Sequence, residues 1–426
     1  MQIISLFMNK SQISQGKNII VYILLEKFAV AIFFFMFFNL PYVQNAHGNP
    51  WEKKDLKGLY KSQANVVHRR ATNTIDPVLS RLDTIWKTRR KNEIHNFARQ
   101  PIGNITNDKM TREKYQQSHD AISDYQETFI DSITNHLDEN IDQSLIYDNW
   151  SYWISGNIEY GKHGSTQNAS LINFQSDGLI ITFEKNLRQN ILLGIGITFG
   201  EDKSSAGEKA DRMTTNDYGL VIYSHTPIGG TYSIQTIHGF NKYGMYTYRE
   251  PTANMISGKR LGFQVFNSIR LIKDVKVNKL IFRPYSRFDV GFSSLRPYRE
   301  EGGKNTISFS EQKILMFKSN LGFLVEYDWF TRFGKLSPHG QIEHVLDLSK
   351  SSSVNSFYHN NHGVLHHANI DDLRQSSWRY SLGLDFKFFN SALSASYTRS
   401  EESEAHLPDQ PNRESDLLMF NVMVNY

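Results

Sequence analysis

Cysteine is absent from the 426 residues of this chain, which excludes a disulfide framework, thiolate metal sites and a cysteine nucleophile. Positive and negative charges nearly balance, because 47 Lys and Arg stand against 43 Asp and Glu and the formal net charge is only +4. This small excess argues against a chain that coats nucleic acid. No P-loop motif occurs. After residue 48 there is also no long apolar run. Any later membrane crossing therefore requires strands closed into a barrel.

Aromatic residues, by contrast, are plentiful. They make up 13% of the chain, with 28 Phe and 21 Tyr, although the hydrophobic fraction is a moderate 39% and the mean hydropathy is −0.46. Many aromatics within a polar average indicate apolar residues that alternate with polar ones. This composition predicts β-structure and is compatible with lipid on one face of the sheet.

The first 48 residues have the order of a secretory signal peptide. Residues 28–38 form an uncharged apolar run that follows several Lys and precedes a small-x-small sequence at residues 46–48, as is typical of such a leader. The alternative is an N-terminal membrane anchor. A spanning helix needs ~20 apolar residues, and Glu26 and Lys27 interrupt the hydrophobic sequence. We therefore predict cleavage near residue 48.

Residues 49–112 are basic, with 14 Lys and Arg against 6 Asp and Glu. Apolar residues recur every three or four positions from Ile75 to Trp86. This spacing predicts a short amphipathic helix with Pro77 in its first turn. The remainder lacks the apolar mass for a core of its own, so its basic clusters are either a solvated surface or a binding surface for an anionic ligand.

Residues 113–149 change sign, because nine acidic residues stand against one Lys. Apolar side chains repeat there at helical spacing, at Ile122, Tyr125, Phe129, Ile133, Leu137, Ile141 and Leu145. A soluble coiled-coil dimer and a helix enclosed by polar surroundings both fit this pattern. The enclosed helix fits better once the next region is considered, because ~20 helical residues cross a ~30 Å hydrocarbon layer.

From Trp150 to Tyr426 the apolar period becomes two, which predicts about twelve β-strands. The intervening positions are polar. The charged residues that we expect to face a lumen are Arg270, Arg283, Arg287, Glu326, Glu343, Arg379 and Lys387. A soluble sandwich also alternates, but twelve strands of ~10 residues exceed its usual dimensions. Aromatics at the strand ends suit membrane interfaces instead.

The predicted connections alternate in length. Links near residues 184–190, 225–230 and 389–391 are short, whereas most of the intervening ones, such as 294–316 and 349–375, are long and polar. Short turns at one end and long loops at the other are typical of an outer-membrane barrel. The predicted fold class is all-β: a 12-stranded antiparallel transmembrane β-barrel with an α-helix in the lumen, preceded by a short, mainly helical N-terminal region.

Weaker local features accompany this architecture. They are the segments Asn216–Leu220, Phe282–Ser286 and Leu336–Gly340 and the aromatic terminal residue Tyr426. By these features and by a helix ahead of twelve predicted strands, residues 113–426 resemble the autotransporter β-domain family of type V secretion.

The resemblance implies a domain order for the chain. A signal peptide would occupy residues 1–48, an exported passenger 49–112, a pore-spanning helix 113–149 and the barrel 150–426. The side chains expected on the pore helix are Ile122, Phe129, Ile133, Leu137, Ile141 and Leu145. The last strand would present the signal for barrel assembly through Phe420, Val422, Val424 and Tyr426.

Two groups of residues offer other chemistry. A possible divalent-metal set comprises His359, His362, His366, His367, Asp371 and Asp372. A possible catalytic set comprises Ser337, His339, Glu343 and His344. The first is more simply a solvated polar loop. The second lacks a nucleophile elbow, and consecutive strand residues point to opposite faces. We predict no enzyme, no cofactor and no metal site.

The function predicted is that of a monomeric translocator in the outer membrane of a Gram-negative bacterium, which exports and anchors its own short N-terminal passenger at the cell surface. The expected partners are outer-membrane lipid and the secretion and barrel-assembly machineries; a host or surface ligand stays open, and no nucleic acid is expected. Two alternatives remain: an adhesin that binds through its long loops, and a small-solute porin, which a lumenal helix disfavours.

Overall fold

The computed structural model describes residues 54–98 and 150–425 with short gaps, and within the helix it describes side chains for residues 57–83 only. The gaps are residues 166–169, 188–190, 208–210, 230, 250–254, 278, 303–305, 332–333, 359–364, 371–374, 389–390 and 404–412. Over the described residues, no helix is long and apolar enough to cross a membrane.

Twelve long antiparallel strands form a closed barrel, which confirms the predicted architecture. Each strand pairs with the next, and the first pairs with the last, from Ser151 opposite Asn425 to His163 opposite Arg413. Closure leaves no unpaired strand edge. The strands are β1 (Trp150–His163), β2 (Ile172–Asn186), β3 (Leu192–Ala206), β4 (Asp211–Gly229), β5 (Tyr232–Arg249), β6 (Ile256–Lys273), β7 (Leu280–Leu295), β8 (Gln312–Tyr327), β9 (Gly334–Asp347), β10 (Gln375–Phe388), β11 (Ser391–Ser403) and β12 (Arg413–Asn425).

The period-two pattern separates the residues of each strand into two faces. Large apolar side chains point outward, and Leu382, Leu321 and Phe420 remain 70%, 61% and 58% exposed in the isolated chain. Charged and amide side chains point into the lumen and are buried there, as Arg283 and Glu326 illustrate. An apolar outer surface over a polar interior is what lipid outside and polar contacts inside require.

Short and long connections lie at opposite ends of the barrel. At the short-turn end, β4 is joined to β5 by residues 230–231 and β10 to β11 by residues 389–390. At the long-loop end, residues 296–311 and 348–374 make the longest links. The link between β3 and β4 is shorter than predicted, because its polar residues extend both strands until Ala206 pairs with Asp211.

The lumen holds a single described helix, α1 (Lys54–Ala98), which is 45 residues long and continues through Pro77. The predicted short helix with Pro77 in its first turn is therefore wrong. Proline lacks the amide that would bond to the carbonyl four residues earlier, here that of Asn73. The amide group of Asn157 on β1 donates to this carbonyl oxygen at 2.9 Å, so the barrel wall compensates for the missing helical bond.

The helix in the lumen comes from a different part of the chain than expected. Its described side chains, residues 57–83, belong to the predicted passenger and are almost all buried. The segment predicted to span the pore, residues 113–149, lies outside the described residues, and that prediction remains untested. The reason for the difference is that α1 buries charged side chains as well as an apolar stripe, and a buried charge is acceptable only where a distant residue provides its partner.

Four short strands form a small sheet at the long-loop end. Ile307–Phe309 pairs with Tyr298–Glu301 and with Ser352–Tyr358, which in turn pairs with His366–Ile370. This surface sheet packs on the beginning of α1, where Leu59 and Tyr60 share one apolar cluster with its side chains. Two further short strands, Val275–Val277 and Trp329–Thr331, extend hairpins at the short-turn end.

Candidate functional site: the helix in the barrel lumen

Cations of α1 meet carboxylates on β2, β3 and β4. Arg69 lies 2.7 Å from Asp202, and Arg70 lies 2.6 Å from Asp217. Nearer the short-turn end, an Nη atom of Arg81 lies 2.5 Å from a Glu184 carboxylate oxygen. All these side chains are buried. The side chains of this part of the wall are therefore acidic where the helix is basic.

Acidic residues of α1 face arginines of the opposite part of the wall. Asp83 pairs with Arg270 on β6 at 2.6 Å. Asp76 contacts Arg287 on β7 at 3.1 Å and also pairs with Arg379 on β10. The helix and the lumen thus carry matched charges on both sides of the bore, and this match specifies the rotation and depth of the helix.

Energetics explain why this match is specific rather than merely stabilising. A buried ion pair gains little over apolar residues of similar volume, because both charges must be desolvated. Removing one partner, however, leaves an uncompensated buried charge at a cost of ~3–5 kcal/mol. A helix turned or shifted by one residue would leave several such charges unpaired. The ion pairs therefore select one docked position.

A hydrogen-bond network supports the pair nearest the short turns. Tyr223 donates to Glu184 at 2.7 Å, and the indole of Trp153 donates to the Tyr223 hydroxyl at 2.8 Å. Trp153 and Tyr223 are fully buried. The carboxylate that receives Arg81 is thus also oriented by side chains of the barrel wall.

At the long-loop end, the surface sheet is tied to both helix and wall. Arg260 on β6 donates to Gln63 of the helix at 2.6 Å and to the carbonyl oxygen of Ser310 at 3.0 Å. The Tyr60 ring lies 4.7 Å from that of Phe309. Burial and the nearby Glu300 carboxylate raise the pKa of the Tyr298 hydroxyl, which therefore stays protonated. These contacts cover the amino-terminal part of α1.

These contacts also define the direction of the helix. Tyr60 lies beneath the surface sheet, whereas Arg81 pairs with Glu184, close to the start of β1 through Ser151. The amino end of α1 is therefore at the long-loop end and the later residues are at the short-turn end. Trp150, where the barrel begins, is also at the short-turn end.

The structure places the predicted lumen charges in three settings. Arg270, Arg287 and Arg379 contact the helix, and Glu343 joins them through Arg287 at 3.2 Å and Arg379 at 3.0 Å. Arg283 instead pairs within the wall, with Asp274 at 2.7 Å and Glu326 at 3.0 Å. Lys387 is half-buried near the short turns.

The predicted assembly residues lie on the outer face of β12. Phe420 and Val422 are exposed there, and Val424 is partly so, while Tyr426 and the stripe from Ile122 to Leu145 fall outside the described residues. Their roles remain predictions.

The set considered for catalysis is not assembled as a site, and the set considered for metal binding lies mostly outside the described residues. Ser337 donates to Asp328, Glu343 receives Tyr285 at 2.7 Å, and His344 packs on Trp378 at the outer face. Of the histidine set, His366 and His367 lie on a short strand, and the other members are not described. No described group of His, Asp and Glu residues is arranged to hold a metal ion.

The residues on the helix side of the interface are not among those predicted from the sequence. Arg69, Arg70, Asp76, Arg81 and Asp83 were part of a segment assigned to export. A signal was available: closely spaced charges of both signs flank the apolar residues of this helical segment, and only a polar partner surface with matching charges could bury them.

Comparisons with known proteins agree with this architecture. The autotransporter beta-domain family model matches residues 152–398. The translocator domain of NalP from Neisseria meningitidis superposes with a TM-score of 0.52 at 11% identity, covering 73% of this chain and 98% of that one. The beta domain of the Bordetella autotransporter BrkA gives 0.48 at 11% identity, covering 66% and 100%. No curated protein sequence matches the chain.

A closed antiparallel barrel with an apolar exterior and a polar, filled interior is an outer-membrane β-barrel. The chain belongs to the autotransporter β-domain family, whose model covers more than half of its length. It is a Gram-negative outer-membrane protein and a translocator that exports a passenger.

Proposed function

We propose that this translocator retains α1 in its lumen as an anchor and presents the segment ahead of it, residues 49–53 after the predicted cleavage near residue 48, at the cell surface. The direction of the helix is the observation that carries the proposal. Its amino end lies beneath the surface sheet at the long-loop end, which is the extracellular end in outer-membrane barrels. Residues before the helix then continue outward, and residues after it belong to the periplasmic side.

The proposal changes the expected passenger. In the order implied by family resemblance, residues 49–112 would be outside the cell and residues 113–149 in the pore. With α1 in the lumen, residues 99–149 connect the short-turn end of the helix with Trp150, which starts at the same end. That segment would therefore remain periplasmic.

The closed barrel also supports the proposed monomer, because it has no free strand edge through which a second copy could pair. Outer-membrane lipid would contact the apolar outer face, and the barrel-assembly machinery would recognise the last strand. The ion pairs of the lumen use no cofactor to hold the helix.

Absence of cysteine makes the test direct. Single cysteines at Lys53, Gln100 and Ser118 would be probed on intact cells with a membrane-impermeant maleimide. We expect labelling of Lys53→Cys alone, and labelling of Gln100→Cys and Ser118→Cys only after the outer membrane is permeabilised. Exposed residues of the barrel supply the controls: Ser351→Cys for the surface end and Lys276→Cys for the periplasmic end.

Each alternative gives a different pattern. If residues 49–112 are the passenger, Gln100→Cys reacts on intact cells together with Lys53→Cys. If nothing ahead of the barrel is exported, Ser351→Cys reacts and Lys53→Cys does not. Either pattern would refute the proposal.

A further inference from the structure

The helix lies off-centre in the barrel. It packs along β2 to β5. The helix can approach this wall closely because, at some contacts, either the helix residue or the wall residue is glycine. A Cβ atom at Gly58 would lie 3.2 Å from the Cβ of Ala206, and one at Gly200 would collide with the Arg70 guanidinium. The consequence is that space remains between α1 and the opposite wall.

Two polar cavities occupy that space. The upper cavity, of about 130 Å³, is bordered by Thr72 and Asn73 of the helix and by Ser377 of the wall. The lower cavity, of about 60 Å³, is bordered by Ser80 and Thr398. Both volumes exceed the ~10–15 Å³ that a cavity needs to hold one water, so each has room for water. Their hydroxyl and amide linings provide the partners that such waters need.

One charge cluster separates the two cavities. The Asp76 carboxylate contacts Arg287 and Arg379, and the Glu343 carboxylate contacts the same two guanidinium groups from the wall. Arg287 and Arg379 border both cavities. Side chains of this cluster, rather than backbone, thus close the space between the cavities.

We propose that a narrow path for small inorganic ions runs beside α1, and that the cluster of Asp76, Arg287, Arg379 and Glu343 is its gate and selectivity element. The Asp289 carboxylate, 3.1 Å from Arg287, adds a third negative group, so the gate has two positive and three negative groups and a net charge of −1. Neutralising Asp76 leaves two carboxylates against two guanidinium groups, so the gate loses its net negative charge and with it its preference for cations. Asp76 is also the member carried by the helix, so its loss removes the bridge across the path.

The test requires that the helix itself stay in place. In Gly58→Cys with Ala206→Cys the two Cβ atoms start 3.2 Å apart, slightly closer than the ~3.5–4.5 Å usual in a disulfide. A small outward shift of either backbone therefore allows the bond, which would fix α1 to β3 in a chain without other cysteines. In this oxidised background, Asp76→Asn is compared with the unchanged gate by planar-bilayer recording in KCl. We expect a two- to tenfold rise in conductance and a reversal potential, under a KCl gradient, that shifts toward that of chloride.

A matched control separates the gate from a general effect of removing a charge. Lys203→Gln removes the exposed ion pair with Glu201 on β3, and neither residue borders a cavity, so the locked control should keep the parent conductance and reversal potential. The proposal is overturned if Asp76→Asn leaves both quantities unchanged, or if Lys203→Gln alters them equally. This outcome is independent of which segment is exported, because labelling of Lys53→Cys does not depend on ion flow.

Discussion

Replacement of Arg70 by Leu tests whether buried charge matching holds the helix in the lumen. The Arg70 side chain is 2% exposed and that of Asp217 is fully buried. Arg70 also donates to the Asp177 carbonyl oxygen at 2.7 Å and to the Ser176 hydroxyl at 3.2 Å. Leucine fills part of the space but leaves the Asp217 carboxylate without its cation.

The expected magnitude follows from that unpaired carboxylate. Breaking a buried pair on one side costs ~3–5 kcal/mol, and each 1.4 kcal/mol is about tenfold in an equilibrium constant. The ratio of undocked to docked helix should therefore rise by between two and four powers of ten. Replacing both residues, as in Arg70→Leu with Asp217→Leu, should restore most of the docking, because no buried charge is then unpaired.

Single-channel recording in planar bilayers measures this ratio. A barrel that lacks residues 54–98 gives the conductance of the open lumen, and the fraction of time that a variant spends at this conductance reports how often its helix is undocked. An exposed pair supplies the control: Lys203→Gln removes a surface contact with Glu201, and such pairs are worth ~0–1 kcal/mol, so helix docking should not change. Equal open fractions for Arg70→Leu and the double variant would refute the reasoning, because the loss would then not come from the unpaired carboxylate.

Three further predictions concern the barrel wall. Leu382→Arg places a charge on the lipid face and should destabilise the folded barrel by ~2–4 kcal/mol. The heat-modifiable gel shift should then occur at a lower temperature, whereas Leu382→Phe should leave that temperature unchanged. Asn157→Ala leaves the carbonyl oxygen beside Pro77 unpaired and should cost ~1–3 kcal/mol in the same assay, and an unchanged transition would contradict the compensation described for that proline. Deleting residues 420–426 should abolish the heat-modifiable species in outer-membrane fractions, whereas normal assembly would show that the signal lies elsewhere.

Charge segregation in the lumen gives the retained helix a defined direction. Carboxylates on β2 to β4 receive its arginines, and arginines on β6 to β10 receive its aspartates. A reversed helix would bring its charges to different levels of the wall and leave buried groups unpaired. Direction matters for export, because it decides which side of α1 continues to the cell surface.

Local sequence determined the barrel. Period-two alternation, aromatics at strand ends and alternating link lengths specify twelve strands and their faces, because each of these signals arises within one strand or one turn. The alternation also placed Arg270, Arg287 and Glu343 on the inner face, since a strand residue's face depends only on its parity.

Only the tertiary structure decided which segment fills the described lumen and how. Two segments, residues 54–98 and 113–149, have helical features, and their local patterns do not indicate which of them occupies the lumen. The choice of α1 depends on pairs such as Arg70 with Asp217 and Asp76 with Arg379, whose members are far apart in the chain. Pro77 shows the same limit, because the Asn157 donor that permits it comes from the barrel. Strand faces follow from neighbours in the chain, whereas a buried charge is acceptable only where a distant residue provides its partner.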